Sequence, residues 1–196
     1  MRTPEQTRDL ITRKALSLFN TKGYKATSLS DITKEVGMTK GAIYGHFGSK
    51  DGVAEAGFEY ALKFVKDDLN KRISAAKTAP EKLKAIVNYY SDYILNPPIK
   101  GGCPIINTAI EADDSLPLLR TKLVHFISMM KQSLIKIIYR GVTEGQIRKD
   151  TNVEETAVLL YTAVEGGIML SRVEGDPQTY ETLRRRLIKE IDQITA

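Results

Sequence analysis

Polar side chains in the first quarter of the chain have the types and spacing that suit contact with phosphate groups. Lys40, Tyr44 and Lys50 supply hydrogen-bond donors, and Gly41 and Gly45 lie beside them. A glycine inside a helix costs about 1 kcal/mol, which is reasonable where the backbone must approach another surface closely. A cation in the first turn of a helix, as predicted for Lys50, is unfavourable by about 0.3–1 kcal/mol unless a bound anion reverses the sign. An exposed lysine without a ligand is the alternative.

The excess positive charge of the chain lies entirely in the same segment. Residues 1–50 contain nine Lys and Arg and four Asp and Glu, residues 51–196 contain twenty of each sign, and the formal net charge is +5. Confinement of the charge to one small segment indicates a polyanionic partner there, either nucleic acid or an acidic membrane surface. A solvated basic face is the alternative that the charge alone leaves open.

The sequence gives little support for a disulfide, a structural metal site or an enzyme active site. One cysteine, Cys103, and two histidines cannot form an intrachain disulfide or a structural zinc site of the usual tetrahedral type, so no cofactor is predicted. The motifs of phosphate-binding loops, dinucleotide-binding folds, zinc proteases and serine hydrolases are absent, and an enzyme is not expected. Cys103 precedes a predicted helix, where a thiol can be reactive; a buried, inert thiol is the alternative.

The distribution of apolar residues along the chain does not predict a membrane protein. The first sixteen residues contain no long apolar core, so no signal peptide is predicted. The longest apolar stretch, Ala157–Val164, is interrupted by Thr162 and is too short to span a membrane. With a single cysteine, these features predict a cytoplasmic protein without a membrane partner.

Helices must position all of these residues, because apolar side chains recur at helical spacing almost throughout and no strand pattern is convincing. The predicted helices span about 4–21, 29–36, 40–47, 50–76, 80–95, 104–112, 116 to 141 or 145 and 153–173, and a ninth follows the turn at residues 175–177 and ends near 194. The predicted fold is therefore all-α. An N-terminal three-helix domain covers residues 1–49, and a six-helix C-terminal domain covers residues 50–196.

The second and third helices form a predicted helix-turn-helix motif. Ser28 and Asp31 have the spacing of a capping box, Gly37 ends the second helix, and Thr39 begins the third. In this motif the second of the two helices enters the major groove of DNA. Ile43 would face the core, which leaves the polar residues of the third helix on its outer face.

The sequence is similar to a known family over the run Phe19-x-x-x-Gly23-Tyr24-x-Ala26-Thr27-Ser28-x-x-Asp31-Ile32, continued by Val36-Gly37-Met38-Thr39-Lys40-Gly41-Ala42-Ile43-Tyr44-Gly45-His46-Phe47-x-Ser49-Lys50. This run resembles the DNA-binding domain of TetR/AcrR-type transcriptional regulators. The resemblance covers about residues 8–55, and its ending from Tyr44 to Lys50 is more diagnostic than a generic helix-turn-helix. Gly45 departs from it, since family members often carry a larger residue there.

The resemblance implies a homodimer that binds a palindromic operator in double-stranded DNA and usually represses transcription. It implies that the groove-facing residues are Lys40, Gly41, Ala42 and Tyr44. It implies phosphate contacts from Thr27, Ser28, Thr39, Tyr44, His46 and Lys50. For His46, a packed neutral ring beside Phe47 is the alternative.

The eighth helix is apolar on more than one face. Its apolar and small residues exceed what one core stripe needs, and Gly166 and Gly167 allow another helix to approach closely. This surplus predicts an oligomer interface, and the resemblance implies that helices 8 and 9 of each subunit form a four-helix dimer interface. A central core helix of a monomer is the alternative.

Aromatic and polar side chains of the C-terminal domain predict a site for a small organic effector. The candidate ligand-binding residues are Tyr89, Tyr93, Cys103, Asn107, Glu111, Phe126, Met130, Tyr161 and Glu165. Because the only charged candidates, Glu111 and Glu165, are acidic, the predicted effector is largely apolar with a cationic or hydrogen-bonding group. The alternative is that the aromatic side chains are core and the two carboxylates structural.

The resulting prediction is a ligand-responsive, homodimeric DNA-binding repressor that its effector releases from the operator. Three alternatives remain: a sequence-tolerant DNA-binding protein without an effector, an all-helical enzyme or carrier with a basic surface, and a redox or electrophile sensor that acts through Cys103. The salt and sequence dependence of DNA binding separates the first two from the prediction.

Overall fold

The computed structural model of the chain describes residues 2–196, except for the side chains of residues 113–115. Over this part of the chain there are nine helices and no β-strand, which confirms the all-α prediction; one isolated antiparallel bridge joins Ile147 and Thr195. The helices are α1 (Pro4–Lys22), α2 (Leu29–Val36), α3 (Lys40–Phe47), α4 (Lys50–Ala75), α5 (Ala79–Leu95), α6 (Pro104–Ser115), α7 (Pro117–Thr143), α8 (Val153–Glu174) and α9 (Pro177–Ile194).

Most helix ends lie within two residues of their predicted positions, but α6 extends three residues further than predicted. It runs to Ser115, so that Leu116 alone separates it from α7. Leu116 has φ −133° and ψ 69°. A residue before proline is disfavoured from the helical region, and Pro117 therefore sets the break one residue before itself.

Local capping signals fix the starts of several helices. The predicted capping box of α2 is present: Ser28 accepts from the backbone N–H of Asp31, and the Asp31 carboxylate accepts from the backbone N–H of Ser28. The same arrangement begins α1 and α5, at Thr3 and Thr78. These caps satisfy backbone donors that the first turn of a helix leaves without partners.

The chain divides into two compact units. The first comprises Met1–Val65 and Pro98–Leu123, and the second comprises Lys66–Pro97 and Val124–Ala196. Helices α4 and α7 each begin in the first unit and end in the second. The first unit is larger than the predicted domain of residues 1–49, because α6 packs against α1. The division of function between residues 1–49 and 50–196 stays a prediction.

The core of the first unit holds the three N-terminal helices together. Ile11 and Ala15 of α1, Ile32 of α2, Ile43 of α3 and Val53 of α4 are fully buried in one cluster. Burial of each of the isoleucine and valine side chains contributes about 1.5–3 kcal/mol. This cluster therefore fixes the orientation of α3, whose opposite face stays in solvent.

The second unit is built around α9, against which α5 and α8 both pack. The Tyr180 hydroxyl donates to the carbonyl of Val87 at 2.9 Å, and its backbone N–H donates to the Ser171 hydroxyl at 2.9 Å. A side chain at Gly167 would place its Cβ 2.5 Å from Leu183 Cδ2. Gly167 therefore permits the close approach of α8 to α9 within one chain.

Helix α8 has an unusual surface for a helix of this length. By length and composition it could cross a membrane, and a third of its most apolar stretch is buried within the chain. One helix of this kind is a weak indication of a membrane protein, because core helices share the same composition.

Candidate nucleic-acid interface and ligand cavity

The turn between α2 and α3 has the geometry of a helix-turn-helix motif. Gly37 ends α2 with φ 73°, a left-handed conformation that costs glycine little. Two residues later the Thr39 hydroxyl accepts from the backbone N–H of Ala42 at 3.3 Å and begins α3. The short turn and the burial of Ile43 together fix the direction of α3.

The outer face of α3 presents the residues predicted to face the groove. Lys40, Gly41 and Gly45 are exposed, Ala42 is half-buried, and the Tyr44 side chain is 48% exposed. Apart from its chain neighbours and the backbone of its own helix, no described heavy atom lies within 4 Å of a Cβ built at Gly45, and a Cβ at Gly41 would lie 3.9 Å from Thr39 Oγ1. A flat, small-residue face with a lysine and a tyrosine can approach base edges closely.

Ser28 and Asp31 form a tightly bonded N-terminus on α2. The Ser28 hydroxyl donates to Asp31 Oδ2 at 2.5 Å, and Lys22 Nζ lies 3.2 Å from Asp31 Oδ1. The hydrogen bonds from Ser28 and from Lys22 lower the pKa of Asp31 to about 2. Ser28 is exposed, as a phosphate-contacting residue must be.

Thr27 does not fit its predicted role as a phosphate contact. Its side chain is fully buried, and its hydroxyl donates to the carbonyl of Gly23 at 2.7 Å. The hydroxyl reaches this carbonyl because the chain forms a tight turn between α1 and α2, where the Thr27 N–H also donates to the Tyr24 carbonyl. The side chain therefore stabilises this loop instead of reaching the surface.

Lys50 lies at the start of α4, where Tyr24 fixes its position. Lys50 Nζ lies 4.1 Å from the centroid of the Tyr24 ring, a cation–π contact, and the Tyr24 hydroxyl donates to the carboxylate of Asp51. Burial raises the pKa of the Tyr24 phenol, and the hydrogen bond to Asp51 raises it further. The Tyr24 ring also stacks on Phe19 at 5.7 Å. Lys50 is thus held half-buried at the edge of the basic segment.

Two cationic side chains of α1, which were not predicted as site residues, contact the C-terminal ends of α2 and α3. The Arg8 guanidinium lies 4.3 Å from the centroid of the Phe47 ring and donates to the carbonyl of His46. Lys14 Nζ donates to the carbonyl of Glu35 at 2.7 Å. Both cations lie at helix C-termini, where the helix dipole favours positive charge. Part of the basic excess is therefore structural, and the His46 ring is half-buried beside Phe47.

The second unit contains an apolar cavity of about 140 Å³. Helices α4, α5, α7 and α8 contribute its walls. The lining residues are Lys66, Leu69, Asn70, Ile73, Leu83, Ile86, Val87, Tyr90, Met129, Met130, Ser133, Leu134, Leu160, Tyr161 and Val164. A concave, mostly apolar space with a few polar groups is the usual form of a small-molecule site.

Two family models match most of the chain. Residues 11–56 match the family of bacterial regulatory proteins described as the tetR family, and residues 79–187 match the tetracyclin repressor-like C-terminal domain. The chain belongs to the TetR family. Members of this family are DNA-binding transcriptional regulators and not enzymes, so the family expectation from the sequence is confirmed.

Solved structures and characterised relatives agree with this assignment. A TetR transcriptional regulator from Chloroflexus aurantiacus is 33% identical, with a TM-score of 0.94 over 100% of this chain and 98% of its own. The transcriptional repressor DhaR of Mycobacterium sp. (strain GP1) is 25% identical over 88% of this chain and 85% of its own. A cysteine mutant of the TetR family regulator CifR, complexed with a 26-base-pair operator DNA, shares the fold at 18% identity, with a TM-score of 0.83 over 92% of this chain and 94% of its own.

In this TetR-family regulator, the predicted ligand-binding residues do not all meet at the cavity. Met130 and Tyr161 line it. Tyr89, Tyr93 and Phe126 are buried in the same unit without lining it, whereas Tyr90 of the same helix as the first two lines it. Helical periodicity places the three tyrosines of α5 on neighbouring faces, and only the packing of α7 and α8 decides which one lines the cavity.

Cys103, Asn107 and Glu111 lie in the first unit and not at this cavity. The Asn107 amide donates to the Asn20 carbonyl at 3.0 Å, to Asn20 Oδ1 at 2.8 Å and to the Gly101 carbonyl at 2.9 Å. Glu111 Oε2 accepts from the backbone N–H of Tyr24 at 2.6 Å. Cys103 is buried at the start of α6. Asn107 and Glu111 are one helical turn apart on α6. Asn107 thus bonds to the end of α1, and Glu111 bonds to the loop that follows α1.

Glu165 lies next to the cavity residue Val164 but is not part of the cavity lining. Its carboxylate is close enough to the Tyr161 hydroxyl to form a hydrogen bond, and Oε2 has no hydrogen-bond partner among the described residues. Burial raises the pKa of Glu165 to about 7. The expectation of a cationic effector depended on Glu111 and Glu165, and neither carboxylate lines the cavity.

The outward face of α8 is apolar in this regulator, as the sequence predicted. Five large apolar side chains there are between 42% and 80% exposed: Val158, Leu159, Met169, Leu170 and Val173. Gly166 lies on the open side of the helix: apart from its chain neighbours and the helix backbone, no described heavy atom lies within 4 Å of a Cβ built on it. The opposite face, with Leu160, Val164 and Ile168, is buried within the chain.

Proposed function

We propose that this protein is a cytoplasmic, homodimeric repressor that binds a palindromic operator and is released from it by a small organic effector. The observation that carries the DNA-binding part is the outer face of α3, where Tyr44 and Lys40 are exposed while Ile43 anchors the helix in the core. The repressor role is supported by the relative DhaR, which is named as a repressor. The complex of CifR with operator DNA supports double-stranded DNA as the partner.

In this proposal Lys40, Gly41, Ala42 and Tyr44 face the major groove. Phosphate contacts come from Ser28, Thr39, Tyr44, His46 and Lys50, without Thr27, whose hydroxyl is buried. The positive end of the α4 dipole and the Lys50 ammonium act on the same anion. The cation–π contact with Tyr24 holds Lys50 at this position before DNA arrives.

The proposed dimer buries the outward face of α8, with α9 beside it. Five exposed apolar side chains on one helix form a contiguous patch of the kind that marks protein interfaces. The exposed residues of α9 include Thr182, Arg185 and Lys189, which suit the polar rim of an interface. A twofold dimer also presents two copies of α3, as a palindromic operator requires.

The proposed effector binds in the cavity of the second unit. Helix α4 begins with Lys50 and carries Leu69 and Ile73 of the cavity wall, so a ligand that repositions this helix also affects the N-terminus that contacts phosphate. Two recognition helices must match half-sites about 34–36 Å apart. A ligand that favours another spacing lowers DNA affinity by its differential affinity for the two states.

The DNA-binding part is tested with the DNA upstream of the protein's own gene, by fluorescence anisotropy at several salt concentrations. Tyr44→Ala and Lys50→Ala should each weaken binding and lower the salt slope by about one per lost phosphate contact, while circular dichroism stays unchanged. Lys149→Ala is the matched control, because Lys149 is exposed in the loop before α8. Equal affinity and slope in all four proteins would overturn these contacts.

The dimer is tested by sedimentation of variants that place a charge on the outward face of α8. Leu159→Arg and Met169→Glu should shift the protein towards monomer, because an unpaired charge in an interface is costly. Tyr139→Glu on α7 is the matched control, since Tyr139 is 66% exposed and lies on another helix. A charge at Gly167 would test α8–α9 packing within one chain instead. A monomeric wild type at micromolar concentration would refute the dimer.

A further inference from the structure

The size of the cavity limits its ligand to a small apolar body. Its volume is about 140 Å³, and an apolar protein cavity of about 150 Å³ is known to bind benzene. Its walls are mostly aliphatic, with Leu83, Val87, Leu134 and Leu160 from three helices. One aromatic ring or a short alkyl chain fills such a space.

The charge that the lining of the cavity carries is positive. Among its lining residues Lys66 is the one charged side chain, and Asn70 follows one helical turn later on α4. Lys66, Leu69, Asn70 and Ile73 share one face of α4. Lys66 and Asn70 are exposed to solvent, so the polar groups of this face lie at the mouth of the cavity. Leu69 and Ile73 lie further inside.

The described residues give the Lys66 ammonium group no polar partner. Among the residues that the structure describes, none forms an ion pair or a hydrogen bond with its ammonium group. Lysine supplies three donors and no acceptor, and the Asn70 amide can add a further donor. A group that binds at this mouth therefore has to accept hydrogen bonds, and a negative charge improves each of them.

We propose that the cavity binds a monocarboxylate with an apolar body of one ring or a short alkyl chain. The body lies against the aliphatic walls, and the carboxylate pairs with Lys66 and accepts from Asn70. Because the mouth is exposed, the carboxylate keeps part of its hydration, and the cost of removing it from water stays small. This proposal deepens the proposed function by naming the effector class, but ligand binding is measured without DNA and is independent of operator recognition.

The test is isothermal titration calorimetry of the full chain with three probes that differ in charge: 3-phenylpropanoate, 3-phenylpropanamide and 3-phenylpropan-1-amine. The carboxylate should bind about fivefold more tightly than the amide, as expected for one exposed ion pair, and the amine should bind most weakly. Lys66→Gln should bring the affinities for the carboxylate and the amide within about twofold of each other. Lys66→Glu should reverse the order, so that the amine binds best.

Lys71→Gln is the matched control, because Lys71 is an exposed lysine of the same helix that does not line the cavity. It should keep the wild-type order of affinities. The proposal is overturned if none of the three probes binds, if the amine binds the wild type most tightly, or if Lys66→Glu keeps the preference for the carboxylate. If the wild type does not bind operator DNA, the proposed function is contradicted, but the calorimetric measurement of carboxylate binding still tests this proposal by itself.

Discussion

The carboxylate of Glu165 should make the stability of the protein depend on pH. The side chain is half-buried, and Oε2 has no hydrogen-bond partner among the described residues. Burial raises its pKa from 4.5 to about 7, and the hydrogen bond with Tyr161 offsets part of this rise. The folded protein therefore holds a proton at pH values where the unfolded chain has already released it.

The sign and size of the effect follow from this difference. Because the pKa is raised in the folded state, the contribution of the protonated group is fully present below pH 4.5 and is lost as the pH rises through 7. One pKa unit corresponds to about 1.4 kcal/mol, so between pH 5 and pH 8 the free energy of unfolding should fall by about 2.5 kcal/mol through this residue. Glu165→Gln cannot ionise and should lack this fall.

Urea unfolding of the wild type and of Glu165→Gln at pH 5, 6, 7 and 8 measures the difference directly. Protein concentration has to be equal in all samples, since an oligomer's stability depends on it. Glu154→Gln is the matched control, because Glu154 is an exposed carboxylate of the same helix. Stabilisation of Glu165→Gln relative to the wild type should grow with pH, and the control should show no such trend. A constant difference across the four pH values would refute the burial argument.

Two further predictions concern the first unit. Asn107→Ala should lower the free energy of unfolding by about 1–3 kcal/mol in a urea titration, because it leaves part-buried carbonyl groups without this donor. Asn107→Asp should lower it more, because a carboxylate would face those oxygens. Equal free energies of unfolding in the wild type and both variants would show that the hydrogen bonds of Asn107 do not stabilise the fold. Asp31→Ala should destabilise the protein at pH 7, and the difference from the wild type should shrink as the pH falls from 4 through 2, since the lowered pKa stabilises the fold only while Asp31 is ionised. A difference as large at pH 2 as at pH 7 would show that the ionised carboxylate is not its source.

The helices and the helix-turn-helix motif could be predicted because their signals are local. Ser28 with Asp31, Gly37 and Thr39 mark helix ends within a few residues of themselves, and the structure forms those caps. The apolar surplus of α8 is likewise visible in its own sequence and appears as its exposed face.

The contacts that could not be predicted join residues far apart in the chain. Glu111 bonds to Tyr24 across 87 positions, and nothing in either segment names the other. Thr27 has the residue type and motif position of a phosphate ligand, but the fold of its loop buries it. Lys66 is one of many lysines, and it becomes distinctive only because α5, α7 and α8 enclose a cavity beside its helix.

The outward face of α8 also bears on how the amount of this regulator shapes its response. In the proposed dimer, a newly made subunit exposes five large apolar side chains to water until it meets a second copy. Below the dissociation constant the dimer concentration rises with the square of the subunit concentration, so that a twofold change in synthesis changes the operator-binding species by about fourfold. A single apolar stripe would thereby make the steepness of gene control depend on expression level before any effector is present.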